Sequence, residues 1–373
     1  MPNVKDIFQK PRPLEAIELQ GFKSFKHLKR FSLSPGLNVL IGANGSGKTN
    51  FIKFFELLGN MMDKPPGLQN YLASNGWADA FLFRGVETTE QFRASLWFAL
   101  NEYRFALKAA AGGSLFFSEE AAPFDGPIYG PVTNDQGSGH KESALARTRG
   151  GTGAEKFVVE TIGDWRVYHF HNTSARSPMM QPVNSVDCDR LRSDAGNIAA
   201  FLLKMRETQK DYYERIVSHI RLAAPYFGDF ELKEVSEGQT QLLWKESYSP
   251  KVYYPSQLSD GSIRFICLAT LLLQPKPPST IVIDEPELGL HPYAITVLAG
   301  MLGMAASKCQ LIVSTQSSPL VDHLQLKDLI VVDRKDGETT LTRPDPTALK
   351  DWLADYSLGT LWDKNILGGR PQP

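Results

Sequence analysis

Residues 37–58 read LNVLIGANGSGKTNFIKFFELL, and their order decides how the rest of the chain is placed. LNVLI (37–41), which follows a Pro35 and Gly36 turn, predicts a short buried strand. From Asn50 the apolar residues Phe51, Ile52, Phe54, Phe55, Leu57 and Leu58 recur at helical spacing. Between strand and helix, Gly42, Ala43, Asn44, Gly45, Ser46, Gly47, Lys48 and Thr49 satisfy GxxxxGK(S/T) in the context that motif requires. Glycines let successive backbone N–H groups turn toward a polyphosphate, and the helix N-terminus adds partial positive charge. Lys48 then reaches the terminal phosphates and the Thr49 hydroxyl faces Mg2+; Asn50 completes the candidate nucleotide-binding set. A ligand-free glycine-rich turn is the bland alternative.

A site of this kind also needs an acid on a neighbouring strand, and STIVIDEPELGLHP (279–292) supplies one at the end of an apolar run. Asp284 is the candidate magnesium ligand, and Glu285 stands where a carboxylate polarises an attacking water. Alternatively, Glu285 is one of an acid pair that caps the next element. A third polar stretch, LSDGS (258–262), precedes the apolar run FICLATLLL (265–273). It suggests another anion-binding helix terminus, yet one phosphate chain enclosed by the first loop cannot easily use both.

Around these pieces the chain reads as α/β. LEAIELQGF (14–22) alternates as a strand does, and after residue 258 helix and buried strand alternate through TIVID, YAITVLAGMLGMA, QLIVST and DLIVVDR. That alternation predicts a mostly parallel sheet covered by helices. Between about 80 and 170, QFRASLWFAL, YRFALKAA, KFVVETI and WRVYHFH read as antiparallel strands of an inserted β subdomain, interrupted by a Gly/Ser/Pro-rich section near 121–154 that is expected to be a mobile surface loop. Residues 196–223 read as helical, with no sustained heptad.

Composition narrows the partners. Hydrophobic residues make up 42% and charged residues 22%, so the chain folds, and a formal charge of -1 gives no global field toward nucleic acid or an anionic membrane. Lys23, Lys26, Lys29 and Arg30, with His27, form a local basic run, but Phe22, Phe25 and Leu28 between them suggest a solvated face over a buried one. Cys188, Cys267 and Cys309 form no CxxC pair, which speaks against zinc or a disulfide framework. With no apolar h-region and no apolar run long enough to span a bilayer, the expectation is a cytoplasmic protein without a membrane partner.

The set formed by Gly42–Thr49, LSDGS, VIDEPELGLHP and STQSSP (314–319) resembles the ABC-type ATPase heads of the RecF, SMC and OLD groups. It is most similar to the stand-alone bacterial AAA family (AAA_21-like) predicted ATPases, a likeness that covers about residues 14–345 and includes YHFHNTS (168–174). The resemblance implies a P-loop NTPase fold of the ABC-head type, with an inserted β subdomain over about 75–170 and a helical region over about 190–257. Residues 346–373 would be a C-terminal extension. It implies a head that dimerises around two ATP molecules with Mg2+, held by Lys48, Thr49 and Asp284, with Glu285 as catalytic base. LSDGS then serves the other subunit: Ser259 and Gly261 meet the γ-phosphate in trans, while Asp260 and Ser262 depart from the commonest form.

Where many such ATPases carry a switch histidine, this chain has Gln316, which can donate a hydrogen bond but carries no proton charge at neutral pH, so slow turnover is expected. The Q-loop residue stays open among Gln181, His169, His171 and Asn172, and the two histidines also permit a metal-pair reading. His291 falls in the D-loop region, where dimer contact is expected. The resemblance implies ATP hydrolysis coupled to DNA repair or maintenance, or to phage defence. The alternative is a nucleotide-gated module that holds or releases a separate toxin or nuclease. A purely structural ATP binder is a third reading.

Overall fold

The computed structural model describes residues 12–126, 130–148 and 153–369. Its centre is a six-stranded sheet, in the order Glu338–Thr342, Leu329–Lys335, Leu37–Ile41, Gln310–Thr315, Thr280–Asp284, Arg166–Tyr168. Every pairing is parallel except the first, an antiparallel hairpin. Successive side chains of a strand face opposite ways, and here both faces are covered. Val39, Ile281, Leu311 and Val331 enter a core with the helices Ile198–Thr208, Lys210–Ala223, Asp260–Leu273 and Pro292–Ala306. Leu40, Val282, Ile312 and Ile330 enter the other, under the helix Lys48–Met61. Burial on both faces is why LNVLI and QLIVST read as unbroken runs, and all eleven of their residues are buried.

The second core is closed by a seven-stranded antiparallel sheet that joins Ala16–Phe22 and Phe25–Ser32 to Gln91–Phe98, Asn101–Ala109 and Leu115–Ala121, with short strands Phe124–Gly126 and Gly130–Val132 at one side. The expected β subdomain is therefore continuous with the N-terminal hairpin. Aromatic side chains weld it to the Lys48–Met61 helix: Phe54 lies 5.3 Å from Phe22 and 6.4 Å from Phe105, ring centre to ring centre. Fully burying one such ring stabilises by roughly 2–3 kcal/mol. On the outer side Lys26, His27, Lys29 and Arg30 are exposed above buried Phe25 and Leu28, a solvated face.

Two local expectations are corrected and a third is refined. KFVVETI forms a helix, Ala154–Gly163, because Phe157 with Thr161 and Val158 with Ile162 bury at i, i+4 spacing; a short β-branched run does not distinguish the two states by pattern. WRVYHFH contributes a three-residue strand, Arg166–Tyr168, that joins the central sheet in parallel beside Ile281–Ile283. Residues 196–223 are two helices, separated at Gln209, whose φ of -147° and ψ of 55° stop the first.

Part of the Gly/Ser/Pro-rich section, 127–129 and 149–152, lies outside the described residues. The rest is tied down by two acids. Glu120, fully buried, accepts hydrogen bonds from Tyr103 Oη (2.8 Å), Ser143 Oγ (2.5 Å) and the Ala144 N–H (2.8 Å), and pairs with His140 Nε2 at 2.8 Å. Glu142 accepts from the Leu68 and Gln69 N–H groups at the start of the helix Gly67–Ser74, where backbone donors lack intrahelical partners.

Candidate nucleotide-binding site

The loop after Ile41 is fixed by its neighbours before any ligand is considered. A Cβ on Gly42 would stand 2.3 Å from the Val332 carbonyl oxygen, and one on Gly47, at φ 113°, would stand 2.1 Å from Thr339 Oγ1. Only glycine fits either place. Thr339 Oγ1 donates to the Ser46 carbonyl at 2.7 Å and lies 2.8 Å from Ser24 Oγ. Arg334 Nη1 donates to the Gly45 carbonyl at 3.1 Å. The carbonyl of Gly369 accepts from the Ala43 N–H at 2.7 Å, and its own N–H donates to Asp333 Oδ1 at 2.8 Å. The hairpin Leu329–Thr342 and the C-terminal segment thus brace the loop from outside. Neither contact has a local sequence signal.

Within the loop, Lys48 Nζ donates to the Gly42 and Ala43 carbonyls at 2.7 and 3.0 Å. Burial lowers its pKa from the usual lysine value, opposed by the carboxylates of Glu285, Asp284 and Glu287. Among the described residues Ser46 Oγ is buried without a partner, the kind of orphan that a bound oxyanion satisfies. The Asn50 side chain points elsewhere: its Nδ2 donates to Ser24 Oγ at 2.8 Å, so it supports the loop from the hairpin side.

Parallel pairing of Thr280–Asp284 between Gln310–Thr315 and Arg166–Tyr168 delivers the acids to the loop. Thr49 Oγ1 donates to Asp284 Oδ2 at 3.4 Å, and Asp284 Oδ1 accepts from Ser314 Oγ. A hydroxyl and a carboxylate are hard oxygen donors of the kind Mg2+ takes, so this pair fits that ion. Glu285 has φ 43°, uncommon for a residue with a Cβ and typical of functional turns. Its N–H is held by the Ser314 carbonyl at 2.9 Å, and its Oε1 accepts from Gln316 Nε2. Gln316 is thus brought to the candidate base. Glu287, quoted in the motif but given no role by sequence reasoning, accepts from Thr315 Oγ1 and from the Gln316 N–H at 3.3 Å.

LSDGS behaves differently. Ser259 caps the helix Asp260–Leu273 by accepting from the Ser262 N–H at 3.1 Å; Ser262 Oγ lies 2.8 Å from Ser259 Oγ and 2.7 Å from Tyr226 Oη. Gly261 has no room for a side chain, since a Cβ would stand 2.4 Å from the Gly289 carbonyl. Ser259 and Asp260 are exposed, and among the described residues no hydrogen bond joins this stretch to the phosphate loop. Of the other candidates, His169 Nε2 meets Glu56 Oε1 of the Lys48–Met61 helix at 2.8 Å, and Gln181 Nε2 donates to the Ala175 carbonyl. Arg264 Nη2 donates to the His171 carbonyl, and His291 caps Pro292–Ala306. Among the described residues no group of three or more His, Cys, Asp or Glu is placed to hold a metal.

A phosphate loop between strand and helix, with an acid pair at the end of a parallel strand one place removed across Gln310–Thr315, makes this a P-loop NTPase fold; the attached antiparallel sheet and helical layer are those of an ABC-type head. The model of the family described as "AAA domain, putative AbiEii toxin, Type IV TA system" (AAA_21) matches residues 37–322, and the chain belongs to that family. Chromosome partition protein Smc of Rhodopirellula baltica is 51% identical over 39 residues, 10% of this chain and 3% of that protein. DNA replication and repair protein RecF of Vibrio vulnificus is 34% identical over 80 residues, 21% of this chain and 22% of that protein. The match thus spans less than a quarter of either relative. An SmcHead solved with the C-winged helix domain of ScpA gives a TM-score of 0.58 at 16% identity, over 88% of this chain and 97% of that one. An Smc head with an extended coiled coil, bound to the C-terminal domain of ScpA from Pyrococcus furiosus, gives 0.56 at 13%, over 92% and 99%. At these identities the likeness is one of fold. No helix of the described residues is long and apolar enough to cross a membrane.

Proposed function

We propose that the chain binds ATP with Mg2+ and hydrolyses it to ADP and phosphate, in a site that a second copy of the chain completes. The observation that carries this reading is the convergence at two strand ends: Thr49 against Asp284, and Gln316 against Glu285. Loop amides and Lys48 hold the phosphates, and Thr49 and Asp284 hold the metal. Glu285 takes the proton of an attacking water, with its carboxylate held by the Gln316 amide. When bound, Mg2+ neutralises charge on the phosphates. Ser259, Asp260, Gly261 and Ser262 face the partner's nucleotide; the exposure of Ser259 and Asp260, and the absence among the described residues of hydrogen bonds from the stretch to its own phosphate loop, support that assignment. ATP-dependent phosphate release is the test. Glu285→Gln should lower it at least about 100-fold while leaving nucleotide binding intact; unchanged release would reduce the chain to an ATP binder.

The work that turnover drives is proposed from the family and relatives. The names of the Smc and RecF relatives speak of chromosome partition and of DNA replication and repair, which supports a DNA-linked role in the cytoplasm. The family's description names a putative toxin and a toxin–antitoxin system. That favours the second reading, a nucleotide-gated module that holds or releases a separate toxin or nuclease in phage defence. Salt-dependent retention on duplex DNA supports the first. Co-purification of a small effector, released by ATP, supports the second.

A further inference from the structure

Glu287 is 8% exposed, and among the described residues its Oε2 is a buried carboxylate oxygen without a hydrogen-bond partner. Its other oxygen is shared by two donors from the end of the Gln310–Thr315 strand, Thr315 Oγ1 and the Gln316 N–H at 3.3 Å. Thr315 Oγ1 also accepts from the Ser317 N–H at 3.0 Å, so one carboxylate oxygen organises three consecutive residues. The other end of Gln316 is equally committed, since Nε2 donates to Glu285 Oε1. A chain of contacts therefore runs from Glu287 to the main chain of Gln316 and from its amide to the candidate base. The turn carrying Glu287 is rigid in its own right: the Leu288 N–H meets the Glu285 carbonyl at 3.2 Å, and the Leu290 N–H meets that of Glu287 at 3.0 Å.

Closing a strand end does not require a carboxylate. A serine or asparagine would accept the same N–H, and burial of a half-satisfied carboxyl costs free energy. Burial does act on this one, raising its pKa above the usual carboxylate value. Such a group is retained where geometry matters more than stability.

We propose that Glu287 is a positioning residue for the hydrolytic step: it fixes the Gln316 main chain, and through the Gln316 amide sets the direction in which Glu285 presents its carboxylate. This rests on the hydrolytic reading above. Among the described residues Glu287 makes no hydrogen bond to the phosphate loop or its lysine. It should therefore govern turnover rather than nucleotide affinity.

Steady-state phosphate release and ATP binding, measured on the full chain, test the proposal. Glu287→Ala should lower kcat at least tenfold with the Kd for ATP within twofold of wild type. Glu287→Gln keeps the accepting oxygen and should stay within threefold of wild-type kcat. In a Gln316→Ala background, Glu287→Ala should cost nothing further, because the two act in series. A kcat for Glu287→Ala within twofold of wild type overturns the proposal, as does an undiminished loss in the Gln316→Ala background. If Glu287→Ala does not fold, Thr315→Val, which frees one anchor of the carboxylate, should lower kcat with Kd unchanged; unaltered kcat overturns the proposal. If the wild-type chain shows no turnover, the hydrolytic reading fails instead, and hydrogen exchange at the Gln316 amide decides between outcomes. Faster exchange in Glu287→Gln than in wild type, from the weaker acceptor, supports the positioning contact, and unchanged exchange removes it.

Discussion

Glu120 and Glu287 are both buried acids, and the structure treats them in opposite ways. Glu120 sits in the antiparallel sheet with three hydrogen bonds and a histidine directed at its two oxygens. Glu287 sits between two strand ends of the parallel sheet with one oxygen shared and the other, among the described residues, without a hydrogen-bond partner. A fully satisfied buried carboxylate pins a structure. Glu287 is left half satisfied among the described residues, beside a residue at φ 43° and a lysine that donates to the loop's own carbonyls, and groups so held cluster at functional sites. The molecule thus divides into a region that spends its polar groups on its own order and a region that holds them ready.

Substitutions can break that contrast. Glu120→Ala should have the largest effect on stability, about 3 kcal/mol, because it strands the Tyr103 and Ser143 hydroxyls and the Ala144 N–H in a buried place. Thermal unfolding should show a lower midpoint, while ATP affinity per folded molecule stays unchanged. A loss of affinity at constant midpoint would erase the distinction between the regions. Glu142→Ala should act in the same direction but more weakly, by about 1 kcal/mol, since it removes an acceptor at one helix start. Faster hydrogen exchange confined to the Leu68 and Gln69 amides would place that loss where the contact lies.

The parallel sheet was legible in sequence because its strands are buried on both faces and lack the polar alternation of a half-exposed strand, and because the phosphate loop carries its own composition. KFVVETI was misread because four apolar residues among seven, three of them β-branched, fit a strand as well as a short helix, and the deciding contacts, such as Phe157 with Phe98, are tertiary. Asp284, which closes TIVID, and Glu285 after it could be placed at a strand end from the sequence. The contacts of Glu287 with Thr315 and Gln316 could not be, since they depend on which strand lies alongside. The Glu120 cluster draws on residues from Tyr103 to Ala144, and Gly369 reaches Ala43 across most of the chain. No spacing rule reports such contacts. LSDGS was legible as a helix start, and the structure adds that its hydroxyls turn to one another and to Tyr226 while Ser259 stays exposed.

Whether that exposed stretch serves a second subunit is the central claim, and light scattering tests it most directly. With ATP and Mg2+, the Glu285→Gln chain should double in mass. Ser259→Arg in the same background should stay monomeric while still binding nucleotide at Lys48. A chain that remains monomeric with ATP at every concentration, or a Ser259→Arg chain that loses nucleotide binding itself, would contradict the account.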